Sequence, residues 1–304
     1  MHYNPAAFTA ANLPPPDANW TLDDFQTLAQ QLTRGNGEQK QYGFAALGDQ
    51  SDDLATFLRL AGVAPARVNG DALVPTFTDP ALVAALQRYL DLLHSASPHT
   101  HLSDYSPNGA REPADTLVLN GRVGMWLDAN GAIGATGAAT ATGTLVPLPT
   151  TARSTLAPQP TQALYILART THPKACWAWL TFLSSQQAAS SDGFPARSSL
   201  ATADAFTQYA PPGAAELYAA YRPLLNRAPD ATTPANVFDD PRLDLFWFYR
   251  AIDRALGGKD LARKLADAKT TTEAYLACVQ GGTAGPACAT QADPIYAGFQ
   301  QAAP

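Results

Sequence analysis

Apolar runs of strand length alternate along this chain with longer stretches of helical periodicity. That alternation constrains the fold more than any other feature, because it points to α/β layers. Gln41 to Leu47, Gly124 to Leu127 and Ala163 to Ala168 read as strands. Thr144 to Pro149 reads as an extended exit. Between and after them, helices are signalled by spacing and by caps. Thr21 is an N-cap with Asp23 and Asp24 in the first turn, and Leu22, Phe25, Leu28, Ala29 and Leu32 follow at helical spacing up to Gly35. Leu54 to Ala61 closes at Gly62. Thr78-Asp79-Pro80 starts a helix whose apolar face is Leu82, Val83, Leu86, Tyr89, Leu90 and Leu93. His172-Pro173 opens another through Leu183, and Leu217 to Leu225, Arg242 to Leu256 and Asp260 to Val279 complete the set. Thr116 to Leu119 is ambiguous, while Ser95 to Pro113 and Gly193 to Leu200 read as loops. No repeat of fixed period is visible.

Bulk properties exclude several classes. A chain of 304 residues can bury a large core in one or two domains. Its net charge of −6 makes nucleic acid a poor partner. No apolar run is long enough to span a bilayer. The N-terminus is polar and turn-rich with no basic stretch, so no signal peptide is expected in this chain. Cys278 and Cys288 bracket the Gly/Pro-rich segment Gly281 to Pro286, and a disulfide closing it would imply an oxidising compartment. The alternative is two free thiols. Cys176, between Ala175 and Trp177, reads as a buried free thiol.

Several segments, taken in order, resemble the carbohydrate-type (maltose-binding-like) extracellular solute-binding proteins of ABC importers. They are Tyr3-Asn4, Tyr42-Gly43-Phe44-Ala45, Gly62, Asn120-Gly121-Arg122-Val123-Gly124-Met125-Trp126, Pro147-Leu148-Pro149, His172-Pro173-Lys174-Ala175-Cys176-Trp177 and Gly193-Phe194-Pro195-Ala196-Arg197. The resemblance implies a type II periplasmic-binding-protein-like α/β fold of two lobes joined by a hinge, with ligand held between them. On that map residues 1–158 and 211–304 form the second lobe, and residues 159–210 are a remnant of the first. The N-terminal part of the first lobe is then expected to be missing, as in a truncated gene product.

The resemblance places ligand contacts at strand ends and helix starts. Aromatic faces cover the C–H face of a pyranose, and carboxylates and amides take its hydroxyls. The candidates are Asp49, Gln50 and Asp52 after the Tyr42 strand, and Trp126, Asp128 and Asn130 at the end of the Met125 strand. Phe246, Trp247 and Tyr249 start the penultimate helix, and Phe194 and Arg197 come from the remnant. Each has a plainer reading. Trp126 or Met125 faces the core, the three helix aromatics are core, the acids are loop and cap residues, and Arg197 caps a helix C-terminus or pairs with Asp192.

Chemistry was weighed against binding. Glycoside hydrolysis needs two carboxylates across a glycosidic bond. Asp23/Asp24, Asp52/Asp53 and Asp239/Asp240 are adjacent pairs of the kind that usually cap helices or sit in solvent. No Gly-x-Ser-x-Gly elbow and no phosphate loop are present. His94, His99 and His101 could approach a metal, but no clear fourth ligand accompanies them beyond Asp104. The leading expectation is a non-enzymatic, monomeric solute-binding protein with no cofactor. It would carry a sugar or oligosaccharide to the permease subunits of an ABC importer, outside the cytoplasmic membrane. A glycan hydrolase and a non-functional fragment are the alternatives.

Overall fold

The computed structural model describes residues 1–47, 50–99, 102, 114–128, 143–151, 164–186, 195, 197–201, 212–225, 237–240 and 242–296, the side chains of residues 50–52, 224, 225 and 239 excepted. The elements run β1 (His2–Tyr3), α1 (Pro5–Ala11), α2 (Leu22–Leu32), β2 (Tyr42–Leu47), α3 (Gln50–Leu60), β3 (Ala66–Asn69), β4 (Ala72–Pro75) and α4 (Pro80–Ala96). Then come α5 (Ala114–Leu119), β5 (Val123–Asp128), β6 (Thr144–Leu145), α6 (Pro173–Ser184) and α7 (Ser198–Ala201). Helices α8 (Ala214–Leu225), α9 (Phe246–Leu256), α10 (Leu261–Gln280) and α11 (Gly285–Ala292) follow.

The main sheet has the order β2-β5-β1-β6. β2 and β5 are parallel, with Phe44 opposite Met125 and Leu47 opposite Asp128. β1 runs antiparallel to both β5 and β6, pairing His2 with Trp126 and with Leu145. Parallel strands need a crossover, and here it contains α3, the β3–β4 hairpin, α4 and α5. Both faces of the sheet are covered. Phe44, Ala46 and Met125 join the main core with α2, α4, α9 and α10, whereas Ala45, Leu47 and Trp126 pack with Leu117 and Val118 of α5 on the other side. The strict alternation of β2 between these two clusters is the period of two expected of a strand.

Local signals explain most boundaries. The Thr21 hydroxyl accepts from the Asp24 N–H at 3.1 Å while the Asp24 carboxylate accepts from the Thr21 N–H at 2.8 Å, a reciprocal capping box. Asp79 and Asp260 cap α4 and α10 through their side chains. Gly43 is fixed by contact: a Cβ there would lie 1.7 Å from the carbonyl oxygen of Ala29, so only glycine lets α2 press on β2. Two features escape periodicity. The β3–β4 hairpin is too short to show alternation, and β1 is a two-residue strand recognised only by its partners. Helix α3 starts four residues before Leu54, and α4 continues through Ala96.

Residues 164–168 correct the expected strand Ala163–Ala168, of which Ala163 lies outside the described residues. They are irregular, and Leu164, Tyr165 and Leu167 are 66 %, 84 % and 77 % exposed. A strand exists only through a ladder partner, and among the described residues none pairs with this segment. Helix α6 forms as expected from His172-Pro173, yet buries no residue, and Trp177, Trp179 and Phe182 face outward. Cys176 is a free thiol of intermediate exposure, not a buried one, because α6 buries none of its residues among the described ones. Cys278 and Cys288 are joined, and the segment between them turns into α11 instead of remaining a loop.

Two outcomes follow from this packing. Gly43→Ala should lower stability by about 3 kcal/mol in urea unfolding, because the added methyl must push α2 off the sheet. Reducing the Cys278–Cys288 bridge should cost about 2–3 kcal/mol on the loop-entropy model, read as a drop in Tm with dithiothreitol that a Cys278→Ala/Cys288→Ala variant no longer shows.

Candidate functional site

Parallel pairing of β2 and β5 brings their carboxyl ends to one edge of the sheet, where Leu47 lies opposite Asp128. Open α/β sheets bind ligands in the crevice beyond such ends. Helix α3 begins at Gln50, three residues after the last residue of β2, so Gln50 and Asp52 belong to its first turn just beyond that edge. Asp128 is half-buried at the last position of β5. Asp49 and Asn130 belong to this edge by sequence but lie outside the described residues, as does Phe194.

Trp126 is beside the same edge but is covered, with 3 % of its surface exposed. Its ring stacks on His2 with centroids 5.3 Å apart and planes 2° from parallel. Gly143 passes directly against it, since a Cβ there would meet the indole at 2.4 Å. Both Trp126 and Met125 are buried, because the sheet has a packed layer on each side. Burial pushes His2 down to about 4, with the Asp128 carboxylate acting in the opposite sense. The imidazole against Trp126 is therefore neutral at pH 7.

His99 was considered as a metal ligand, and the structure gives it a different task. It accepts a hydrogen bond at Nε2 from the Ala46 N–H at 2.8 Å, which requires a lone pair there and places the proton on Nδ1. Burial pushes it down to about 4. His94 has the opposite arrangement: its Nε2 faces the Leu256 carbonyl oxygen at 3.0 Å, so that nitrogen donates. The two rings are used on separate backbone groups, and His101 and Asp104 lie outside the described residues.

The helix aromatics resolve toward packing. Trp247 is buried, its Nε1 donates to Asp293 at 3.2 Å, and its ring faces Tyr275 and Tyr296. Phe246 meets Tyr296 edge-on at 4.9 Å, and Tyr249 packs against the core beside Phe248. Arg197 caps the C-terminal end of α6, donating to Ser184 Oγ at 2.9 Å and to the Thr181 carbonyl at 3.3 Å. Of the expected contacts, Gln50 and Asp52 lie in the first turn of α3 beyond β2, Asp128 ends the paired strand β5, Trp126 is covered within the sheet, and Phe246, Trp247, Tyr249 and Arg197 make the packing and capping contacts described above.

One residue was undervalued. Asp53, read as a cap or solvated acid, is 5 % exposed under α4 and accepts from the Tyr89 hydroxyl at 2.8 Å. Burial pushes its carboxyl up to about 7, against the effect of the Tyr89 hydrogen bond. Burial, together with the charge of Asp53, also pushes Tyr89 well up. Helical spacing carried the signal: Asp53 lies one residue before Leu54, on the side of α3 that turns inward. The other adjacent acids behave as caps and surface pairs. Asp24 caps α2, Asp23 pairs with Arg88, and Asp240 pairs with Arg242 at 2.7 Å.

A mixed sheet whose parallel strands end together, packed by helices on both faces, defines an α/β architecture. Residues 1–190 match the family model of the bacterial extracellular solute-binding proteins, and the chain belongs to that family. A search of curated proteins gave no match. Solved structures agree on the fold. An ABC substrate-binding protein, Lmo0181 from Listeria monocytogenes in complex with cycloalternan, superposes with a TM-score of 0.58 at 15 % identity over 92 % of this chain and 69 % of its own. A solute-binding protein from Agrobacterium vitis with bound D-mannitol gives 0.58 at 18 % identity, over 91 % and 70 %. Maltose-bound MalE3 of T. maritima gives 0.57 at 16 %, over 90 % and 69 %. The type II periplasmic-binding-protein-like α/β fold is thereby established.

The buried titrating groups make stability depend on pH in opposite senses. Folded Asp53 keeps a proton that the unfolded chain releases from about pH 4 upward, so it withdraws stability as pH rises toward and through about 7. His99 is neutral when folded and charged when unfolded below about 6.5, so its contribution is lost as pH falls toward about 4. Between pH 6 and 8 wild type should lose about 1 kcal/mol more than Asp53→Asn, which retains an acceptor for Tyr89. Between pH 6.5 and 4, His99→Gln should lose less stability than wild type. Thermal unfolding across pH measures both.

Proposed function

We propose that this chain is the solute-binding component of an ABC importer for carbohydrates or related polyols. The observation that carries the reading is the convergence at one sheet edge of the β2 and β5 carboxyl ends, with Asp128 opposite Leu47 and the first turn of α3 beside them. Carboxylate and amide groups at such an edge suit the many hydroxyls of a sugar. The ligands named for the superposed proteins, cycloalternan, D-mannitol and maltose, are carbohydrates or a polyol and support that choice. Asp49, Gln50, Asp52, Asp128 and Asn130 are the proposed polar contacts. Trp126 backs the site from within the sheet, its face taken by His2.

In this reading the protein catalyses no reaction and uses no cofactor. Residues 1–158 and 211–304 form one lobe and residues 159–210 belong to the other. Consistent with that division, the main core draws on none of the described residues among 159–210. Solute capture shifts an open–closed equilibrium of the lobes, and the closed form docks on permease subunits outside the cytoplasmic membrane, in the periplasm or at the cell surface. The protein acts as a monomer. Among the described residues no helix is long and apolar enough to cross a membrane.

Calorimetry and thermal shift against mono- and oligosaccharides and polyols test the proposal. A carbohydrate should raise Tm, and Asp128→Asn should weaken its binding about tenfold or more while leaving the unliganded Tm within about 1 °C. Trp126→Ala is a poor control, because emptying a buried indole site costs about 3–5 kcal/mol of stability by itself. A folded protein that ignores every carbohydrate while responding to amino acids or peptides would overturn the assignment.

A further inference from the structure

We infer that a recess between α9 and α10, separate from the proposed sugar edge, binds one small tetrahedral oxyanion of the phosphate or sulfate type. Arg250 and Arg254 lie four residues apart on one face of α9, and Lys264 approaches from α10. Three cations thus line a recess that contains two carboxylates, Asp267 and Asp293.

Both carboxylates are already engaged. Asp267 accepts from Lys264 Nζ at 2.8 Å. Asp293 accepts at one oxygen from both Arg250 and Trp247 Nε1, each at 3.2 Å. Arg254 has neither an ion pair nor a side-chain hydrogen bond among the described residues. The Asp267 carboxylate feels the charge of Arg254 as well as that of Lys264, but the three cations of the recess still exceed its two carboxylates by one, on a chain whose net charge is −6. Its guanidinium stands beside that of the largely covered Arg250. Burial and this neighbouring charge hold Arg250 below the usual arginine range. Two arginines on adjacent turns of one face repel unless an anion bridges them.

The recess has a volume of about 80 Å³. At roughly 15 Å³ per water position, that is space for about five waters. One tetrahedral oxyanion fits such a space, whereas an oligosaccharide does not. The planar forks of Arg250 and Arg254 match the oxygen geometry of such an ion, and Lys264 adds a point charge.

The test is thermal shift and calorimetry with inorganic phosphate at pH 7, against sodium chloride at matched ionic strength. Arg254→Gln is the diagnostic variant, since Arg254 is exposed and unpaired and its loss leaves the fold intact. Arg169→Gln, outside the recess, is the charge control. Phosphate should raise the wild-type Tm by a few degrees at saturating concentration. Arg254→Gln should require roughly ten times more phosphate for the same rise, and Arg169→Gln should behave as wild type. No rise above chloride in wild type, or equal responses from wild type and Arg254→Gln, would overturn the inference. Equal losses in both variants would reduce it to general charge screening and also overturn it.

Discussion

The close approach of α2 to β2 at Gly43 is the contact on which the rest of the lobe depends. It lets Phe25 meet Phe44 edge-on, with ring centroids 5.2 Å apart, and seats the sheet on the main core. Once β2 is held there, β5 pairs with it in parallel, and the register carries Leu47 and Asp128 to the same height. The proposed ligand edge is a consequence of that register. A slip of one residue would exchange Met125 and Trp126 between the two packed faces and bury Asp128 differently.

Several buried polar groups around this frame are matched to a partner, whereas the buried Thr272 hydroxyl on α10 has none among the described residues. Trp20 Nε1 donates to the Pro147 carbonyl at 2.8 Å and ties the chain after β6 to the start of α2. Tyr221 accepts from the Leu148 N–H at 2.9 Å and brings α8 to the same segment. Asp53 with Tyr89 and His99 with Ala46 lie in or beside the α3–β2 layer. Those groups link the state of protonation to the packing that supports the proposed site. The exposed aromatic face of α6 contrasts with this economy. Trp179 and Phe182 stack on each other at 5.5 Å. Such an apolar helix face is core-like in composition and, among the described residues, has no core under it.

Much of the fold was legible because its signals are local. The capping box at Thr21, Asp79-Pro80 before α4 and Asp260 before α10 fix helix starts by hydrogen bonds within four residues. The strands β2 and β5 were legible as apolar runs, and the Cys278–Cys288 bridge as a short segment able to turn back. The site was legible in part. Position at a strand end singled out Asp128 and the start of α3 as candidates, whereas composition could not separate Trp126 from Trp247. Both are tryptophans on apolar elements, and only their surroundings differ.

The sequence by itself determined most of the alternation of helix and strand, the caps and membership in the solute-binding family, and it placed the two cysteines where a disulfide could close. These rest on spacing and on neighbours close in the chain. Tertiary structure alone decided that β1 is a strand, that residues 164–168 are not, that Asp53 is buried with a raised carboxyl, and that Arg254 stands beside Arg250 without an ion pair of its own among the described residues. Each of these depends on what lies opposite in space. A ladder needs its partner, a pKa needs its solvent exclusion, and an unpaired charge is defined only by the groups that fail to reach it.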